Sequence, residues 1–476
     1  MKGITDMGLI YIIIGIFLIG WCMFSKSVWR SLFIYLIYIT CIEGVMKQLA
    51  KTNSTATFIA YPIRDAMIWI LVFKVYFLQK GKKPVPSKKH MPQNLKVLII
   101  LFVILNLFQI LASFTDIGLL ISIFAIRPYL EWLPIFLLAY KYMRTKQNYI
   151  MFSSALLFCV SLNGIAGTIQ YIKGPGWMAS LSPGYNYFVY EQGRVFTGSG
   201  GESLLRPPAL GNDCGFGGML AMYSLPFLFY LFVQVYKKRM PFFRKVILFL
   251  ATILSLMGAI SSISRTVIVV TILESVIIIF LILKPGMKTK AIFIRFFIIL
   301  AGAFIIFLSQ YPTFFVRYQS ISTPQKVWEI FSEKESSRRH RIENLPKLTA
   351  RYFFGGGLGK SGSAGGFVKR YDILTEPKDI PFLENQYEYT LLDLGMLGVI
   401  LWLLIHLMSL KTAFYIYRRS SKEIKYACLA LVVILSTLLP VGWFFGTMQG
   451  ISGAAFWFAC GCVFALKNSS EETFML

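Results

Sequence analysis

Apolar runs of about twenty residues recur along this chain, and no other feature limits its possible folds as strongly. They fall at 8–24, 29–46, 58–79, 97–113, 117–140, 149–172, 209–235, 246–262, 266–284, 291–310, 386–410, 426–444 and 450–466. A helix of that length matches the roughly 30 Å hydrocarbon core of a bilayer. Inside that core each backbone N–H and C=O must find a partner within its own segment, which runs of this length achieve as helices. The pattern predicts an all-α polytopic integral membrane protein with about 12–14 transmembrane helices, thirteen by direct reading. Composition agrees, with 56% hydrophobic and only 15% charged residues, against about 25% charged in soluble domains. The first run does not read as a secretory signal, because Lys2 is balanced by Asp6 and no A-x-A site follows; a retained helix is expected.

The net charge of +26 would suggest nucleic acid in a soluble protein. Here the cytoplasmic excess of Lys and Arg that orients membrane proteins explains it, and no nucleic-acid partner is expected. The connection 80–96 carries six lysines and no acid, and "KYMRTKQ", "YKKRMPFFRK", "KPGMKTK" and "YRRSSKEIK" follow at alternate connections. All five are expected to face the cytoplasm. That puts the N-terminus outside and the C-terminal tail inside. Two long segments, 173–208 and 311–385, then lie outside, and residues 1–476 read as a single membrane domain. The seven cysteines form no C-x-x-C, and His90, His340 and His406 are scattered, so no metal site is expected.

The stretch "FGGGLGKS", Phe354 to Ser361, nearly matches a phosphate-binding loop, but Phe354 stands where the first Gly is required. The second external segment is also the wrong place for ATP, with no βαβ unit around it. Two readings stay open: a Gly-rich loop whose N–H groups and Lys360 wrap an anion, or a flexible turn before a re-entry segment. In the same segment, Arg317 to Glu384 holds twelve Lys/Arg and eight Asp/Glu. "SSRRHRIENLPKLTARYFF" is expected to form a helix interrupted at Pro346. Its Arg338, Arg339, His340 and Arg341 suit lipid phosphate or pyrophosphate, or else a basic helix lying on anionic headgroups.

Ionisable residues inside apolar runs cost on the order of 2.5–3.5 kcal/mol at mid-bilayer, so they mark cavities or pairs. Here they are Glu43, Arg64, Asp65, Arg127, Glu131, Asp213, Arg265, Glu274 and Asp393. Arg64 with Asp65, and Arg127 with Glu131 four residues on, read as structural pairs. Arg265, in "AISSISRTVIVV", has no acid within four residues. It sits where two runs join externally and is a candidate anion ligand, or an arginine snorkelling to headgroups. Arg206 opens "RPPALGNDCGFGGMLAMY", and Glu384 and Asn385 open the helix of "LENQYEYTLLDLGMLG". A carboxylate there is favoured by the helix dipole, so capping is one role for Glu384.

Taken together, these segments resemble the O-antigen polymerase (Wzy-type) and O-antigen ligase family of bacterial envelope glycosyltransferases. The resemblance rests on "RPPALGNDCGFGGML", "SISRT", "FFGGGLGKSG" and "ENQYEYTLLDLGMLG", in that order from Arg206 to Ile400. It implies a donor glycan linked through pyrophosphate to a polyprenyl lipid, transfer to a hydroxyl of another lipid-linked glycan, and no nucleotide or metal cofactor. It also implies Arg206 and Arg265 as pyrophosphate ligands, and Arg341, Arg338 and Lys360 as looser candidates. Asn385 and Tyr387 would shape the acceptor side. Glu384 stands at the base position, where ligases of the family have His, which favours a polymerase over a ligase. Membrane lipid is an expected partner, as are flippase and chain-length regulator proteins. A lipid-linked oligosaccharide flippase or transporter is the alternative from another class, but no internal repeat of the kind common in transporters is present.

Overall fold

The computed structural model describes residues 2–49, 55–77, 91–191, 195–197, 203–211, 213–237, 241–282, 345–361, 385–420, 422–443, 446–448, 450–469 and 474. In chain order the helices are α1 (Lys2–Phe24), α2 (Val28–Ile37), a π-helical turn Tyr38–Ile42, α3 (Glu43–Leu49), α4 (Thr55–Phe77), α5 (Gln93–Ile117), α6 (Leu119–Phe124), α7 (Arg127–Leu130) and α8 (Leu133–Tyr142). They continue as α9 (Lys146–Ser180), α10 (Pro183–Asn186), α11 (Phe216–Lys237), α12 (Phe242–Ser261) and α13 (Arg265–Ile282). Then come α14 (345–351), α15 (Gln386–Arg419), α16 (Lys422–Val441) and α17 (Gly450–Lys467). Among the described residues nine helical stretches are long and apolar enough to cross a membrane, and Ile10–Phe24 is a shorter apolar helix. The protein is thus an all-α polytopic membrane protein. The expected span 291–310 lies outside the described residues.

The structure refines the expected elements in two places. The run 117–140 is not one helix: it breaks into α6, α7 and α8, with Pro128 and Pro134 in the first turns of the last two. The expected loop 173–208 is largely folded. Helix α9 continues to Ser180 across a break at Gly174 (φ 78, ψ 179) followed by Pro175. Beyond it lie α10, a π-helical turn and an antiparallel hairpin of β1 (Val195–Thr197) and β2 (Ser203–Leu205). Met178, Tyr185, Phe188, Val189 and Leu205 bury one another there, so the segment carries a small core of its own. The helix expected around Pro346 is described from residue 345 to 351, and the part expected before it lies outside the described residues.

Contacts divide the chain into two compact units. The first is Met1–Pro84 with Thr145–Gln319 and Met475–Leu476; the second is Val85–Arg144 with Ser320–Phe474. In the first, α9 and α12 cross at Gly164 and Gly258. A Cβ on Gly164 would run into the Leu254 carbonyl, and one on Gly258 would stand 2.9 Å from the Gly164 Cα. Only small residues let two helix backbones approach this closely in a bilayer. In the second unit α17 packs on α8, with Gly461 facing the Phe136 carbonyl and the Ala139 side chain. Side-chain caps start several helices: Thr145 accepts from the Asn148 N–H, Ser182 from Tyr185 and Asn385 from Glu388, each satisfying a donor the helix leaves unpaired.

Several of the charges within the apolar runs are paired. Arg127 lies 3.5 Å from Glu131. Arg64 reaches Asp65 at 3.4 Å but also Glu43 at 3.3 Å, and Lys47 binds the same Glu43 carboxylate. The expected Arg64–Asp65 pair is therefore part of a four-residue network, with the Lys47 ammonium 3.6 Å from the Tyr61 ring centroid. Such pairing is what makes charge tolerable at membrane depth.

Candidate functional site

In the first unit, Arg206 follows β2 and opens a tight loop. Pro207 and Pro208 have no N–H to satisfy, and the Gly215 N–H closes the loop onto the Pro207 carbonyl at 2.9 Å. Between them Ala209 takes a left-handed backbone, φ 55, which costs a residue with a Cβ about 1–2 kcal/mol. The Gln170 side chain holds it there with both ends of its amide. Nε2 donates to the Ala209 carbonyl at 2.8 Å and Oε1 accepts from the Ala209 N–H at 2.9 Å. Two such bonds, net about 0.5–1.5 kcal/mol each, offset the strain. One loop residue on, the Leu210 N–H donates to Asn163 Oδ1 at 3.2 Å, while Asn163 Nδ2 donates to the Thr40 carbonyl at 2.9 Å.

The same loop rests on the turn that carries Arg265. Gly215 packs against Ser262 and Ser264, and Gly218 has no room for a Cβ beside Ser262. Ser262 Oγ accepts from the Ser264 N–H, and Ser264 accepts at Oγ from Val267 and at its carbonyl from Ile268. Ser264 thereby caps α13, with Arg265 as its first residue. Both Arg206 and Arg265 are half-buried. The structure thus brings the two arginine segments together through Gly215, which bonds to the neighbour of one and touches the neighbour of the other.

In the second unit, α15 is broken ten residues from its start. Gly395 has φ 73 and ψ −174, a conformation essentially reserved for Gly. The break parts the Met396 N–H from the Leu392 carbonyl, its partner in an unbroken helix. The Gly-rich loop supplies both replacements: Met396 N–H donates to the Phe353 carbonyl at 2.9 Å, and Gly356 N–H to the Leu392 carbonyl at 2.6 Å. Helix α5 clamps the loop from another side, with Gln109 Nε2 donating to the Phe354 carbonyl at 2.7 Å and the Leu358 N–H donating to the Gln109 carbonyl at 3.3 Å. Asp393 fastens its end, accepting from the Ser361 N–H and hydroxyl at 2.8 and 2.7 Å and from the Tyr129 hydroxyl at 2.8 Å.

These bonds answer the question raised by "FGGGLGKS". The N–H groups of Gly355, Gly356, Leu358, Lys360 and Ser361 all have protein partners, so these five are already spent and not free to wrap an anion. Nor is the stretch a loose turn: it fills the gap in a broken helix. Non-helical backbone at such a break is tolerated when protein satisfies it. Lys360 is half-buried at the end of this plug.

At the start of α15, Asn385 is fully buried and caps the helix through Oδ1, 2.8 Å from the Glu388 N–H. Its Nδ2 has no hydrogen-bond partner among the described residues. The Gln386 N–H donates to the Gly442 carbonyl and its Oε1 accepts from Met448 N–H, both at 2.9 Å. Tyr387 donates to the Leu439 carbonyl at 3.1 Å and packs edge-on against Trp402, which gives it an anchoring role. Glu384, Arg338 and Arg341 lie outside the described residues, as do Arg339 and His340. Among the described residues no group of three or more His, Cys, Asp and Glu could hold a metal ion.

Sequence reasoning did not assign roles to Gln170, Asn163, Gln109, Ser361 or Tyr129. A signal existed for the first pair, since amides seven residues apart lie on one helix face. Asp393 was marked only as an acid inside an apolar run.

What these features define is a multi-pass membrane protein whose polar, irregular segments are built into helix ends and one broken helix. Residues 250–403 match the family model described as O-antigen ligase. The matched stretch takes in Arg265, the Gly-rich plug and the first half of α15, so the resemblance to the O-antigen polymerase and ligase family holds there; Arg206 falls before it. No curated protein matches the chain.

Proposed function

We propose that the protein is a polysaccharide polymerase that joins polyprenyl-pyrophosphate-linked oligosaccharide repeat units at the external face of a bacterial cytoplasmic membrane. The observation that carries this reading is the joint support of Arg206 and Arg265 by one loop, beside the family match. In the reaction the acceptor hydroxyl oxygen forms a bond to the donor's anomeric carbon while the bond from that carbon to the diphosphate breaks. Polyprenyl pyrophosphate leaves with the electron pair, and Glu384 takes the hydroxyl proton. Diphosphate is already a competent leaving group and needs charge stabilisation more than a proton. Guanidinium forks held in place before the reaction supply it, so neither nucleotide nor metal is required by the chemistry. The Asn385 amide donor, without a partner among the described residues and next in sequence to Glu384, suits a sugar hydroxyl. Arg341, Arg338 and Lys360 are further candidates for donor binding. A flippase must deliver the donor to that face, and a chain-length regulator is a natural partner.

The matched family model, described as O-antigen ligase, is equally compatible with a second reading, a ligase that moves finished glycan onto a terminal acceptor. Purified protein incubated with lipid-linked single repeats, without nucleotide or metal, separates them. A polymerase yields a ladder spaced by one repeat, and Arg206→Ala and Arg265→Ala leave single repeats. Full-length polymer from both variants would refute the assigned roles; absence of any ladder, with transfer of preformed chains to an acceptor, would establish the ligase.

A further inference from the structure

We infer that Gln170 is a positioning residue for donor binding: it sets the backbone that presents Arg206 and never touches the substrate. The inference rests on the reading that Arg206 grips the donor diphosphate. Gln170 is buried on α9 and spends both ends of its amide on one residue, accepting from the Ala209 N–H and donating to its carbonyl. Ala209 is one of two residues other than glycine with positive φ among those described, so this loop does not hold its shape unaided.

The surroundings leave the loop no other seat. Asn163, two helical turns before Gln170, holds the Leu210 N–H and is itself tied to the Thr40 carbonyl. Gly44 lies so close to Leu210 and Gly211 that a Cβ there would meet their backbone. A Cβ on Gly217 would stand 2.9 Å from that of Ala209. From Ala209 back to Arg206 runs only Pro208–Pro207, whose rings fix φ at both positions. An orientation imposed at Ala209 is therefore transmitted to Arg206 with little slack. A guanidinium fork matches a diphosphate only when its plane is set correctly, and misplacing a binding group by about 1 Å can cost on the order of a hundredfold.

The test is affinity of the purified full-length protein in nanodiscs for polyprenyl pyrophosphate, used as the probe. Gln170→Met keeps the length and apolar packing of the side chain and removes both bonds. It is expected to weaken binding at least about tenfold. The same substitution should change binding less than about twofold in an Arg206→Lys background and keep its full effect in an Arg265→Lys background, because coupling appears only between residues that act together. Should Gln170→Met fail to fold, Gln170→Asn, too short to reach both Ala209 groups, is measured the same way. Wild-type affinity in the variant that folds, or an undiminished loss in the Arg206→Lys background, overturns the inference. If Arg206→Ala itself binds like wild type, the reading of Arg206 as a diphosphate ligand fails first and takes the inference with it.

Discussion

Gly395→Ala tests whether the broken helix and its plug are one structural unit. With the backbone unchanged, the new Cβ would stand 2.5 Å from the Gly355 nitrogen, 2.5 Å from the Phe354 carbonyl carbon and 2.6 Å from the Phe353 oxygen. All three are backbone atoms of the plug, so no side chain can swing aside. Holding alanine at that φ and ψ also costs about 1–3 kcal/mol. The other route is to straighten α15, which re-forms the Met396 N–H to Leu392 bond but strips the Phe353 carbonyl and Gly356 N–H of their partners and displaces the Phe354–Gln109 bond. At a net 0.5–1.5 kcal/mol per bond, with Leu358 losing its burial as well, that route is no cheaper. Either way the loss comes to roughly 2–4 kcal/mol, a large share of a typical folding free energy of about 5–15 kcal/mol. The assay is thermal denaturation of the detergent-solubilised protein, paired with limited proteolysis around residues 352–361. The variant should melt lower and be cut there, while Gly20→Ala, with nothing within 4 Å of its added Cβ, should behave as wild type. A Gly395→Ala protein with unchanged melting and unchanged protection would show that the plug does not depend on the break.

Tyr129→Phe removes one of the bonds to Asp393 and should lower stability by about 0.5–1.5 kcal/mol, with Asp393→Ala costing more; equal melting of Asp393→Ala and wild type would deny the latch any weight. Gly164→Ala should force α9 and α12 apart and destabilise by about 1–3 kcal/mol or more, read as a lower melting temperature. Glu384→Gln should reduce turnover by about 10²–10⁴-fold while leaving affinity for polyprenyl pyrophosphate intact; unimpaired polymerisation would deny Glu384 the role of base. Arg265→Ala should instead lose that affinity, measured with the same probe, and retention of wild-type binding would remove it from the donor site.

Much of this protein was legible in its residues because the bilayer is a severe filter. Twenty apolar residues in a row have few folding options, so most runs became helices near the expected bounds, and alternating basic connections gave an expected orientation. Arg206, Arg265 and the start of α15 stood out as polar groups bordering apolar runs. Periodicity and charge could not reveal what happens where backbones meet. Whether Gly395 continues a helix or breaks it depends on Phe353 and Gly356, some forty residues earlier in the chain, offering the replacement bonds. Whether "FGGGLGKS" has N–H groups to spare for an anion depends on Leu392, Gln109 and Asp393 already having taken them. The clamp of Gln170 on Ala209 spans 39 positions, and in the sequence that glutamine is one more polar residue near a helix end. Local composition determines which segments enter the membrane as helices, since that is a transfer free energy summed over neighbours. Tertiary structure decides which helix breaks and which loop is held, because each turns on a single hydrogen-bond partner brought from a distant part of the chain.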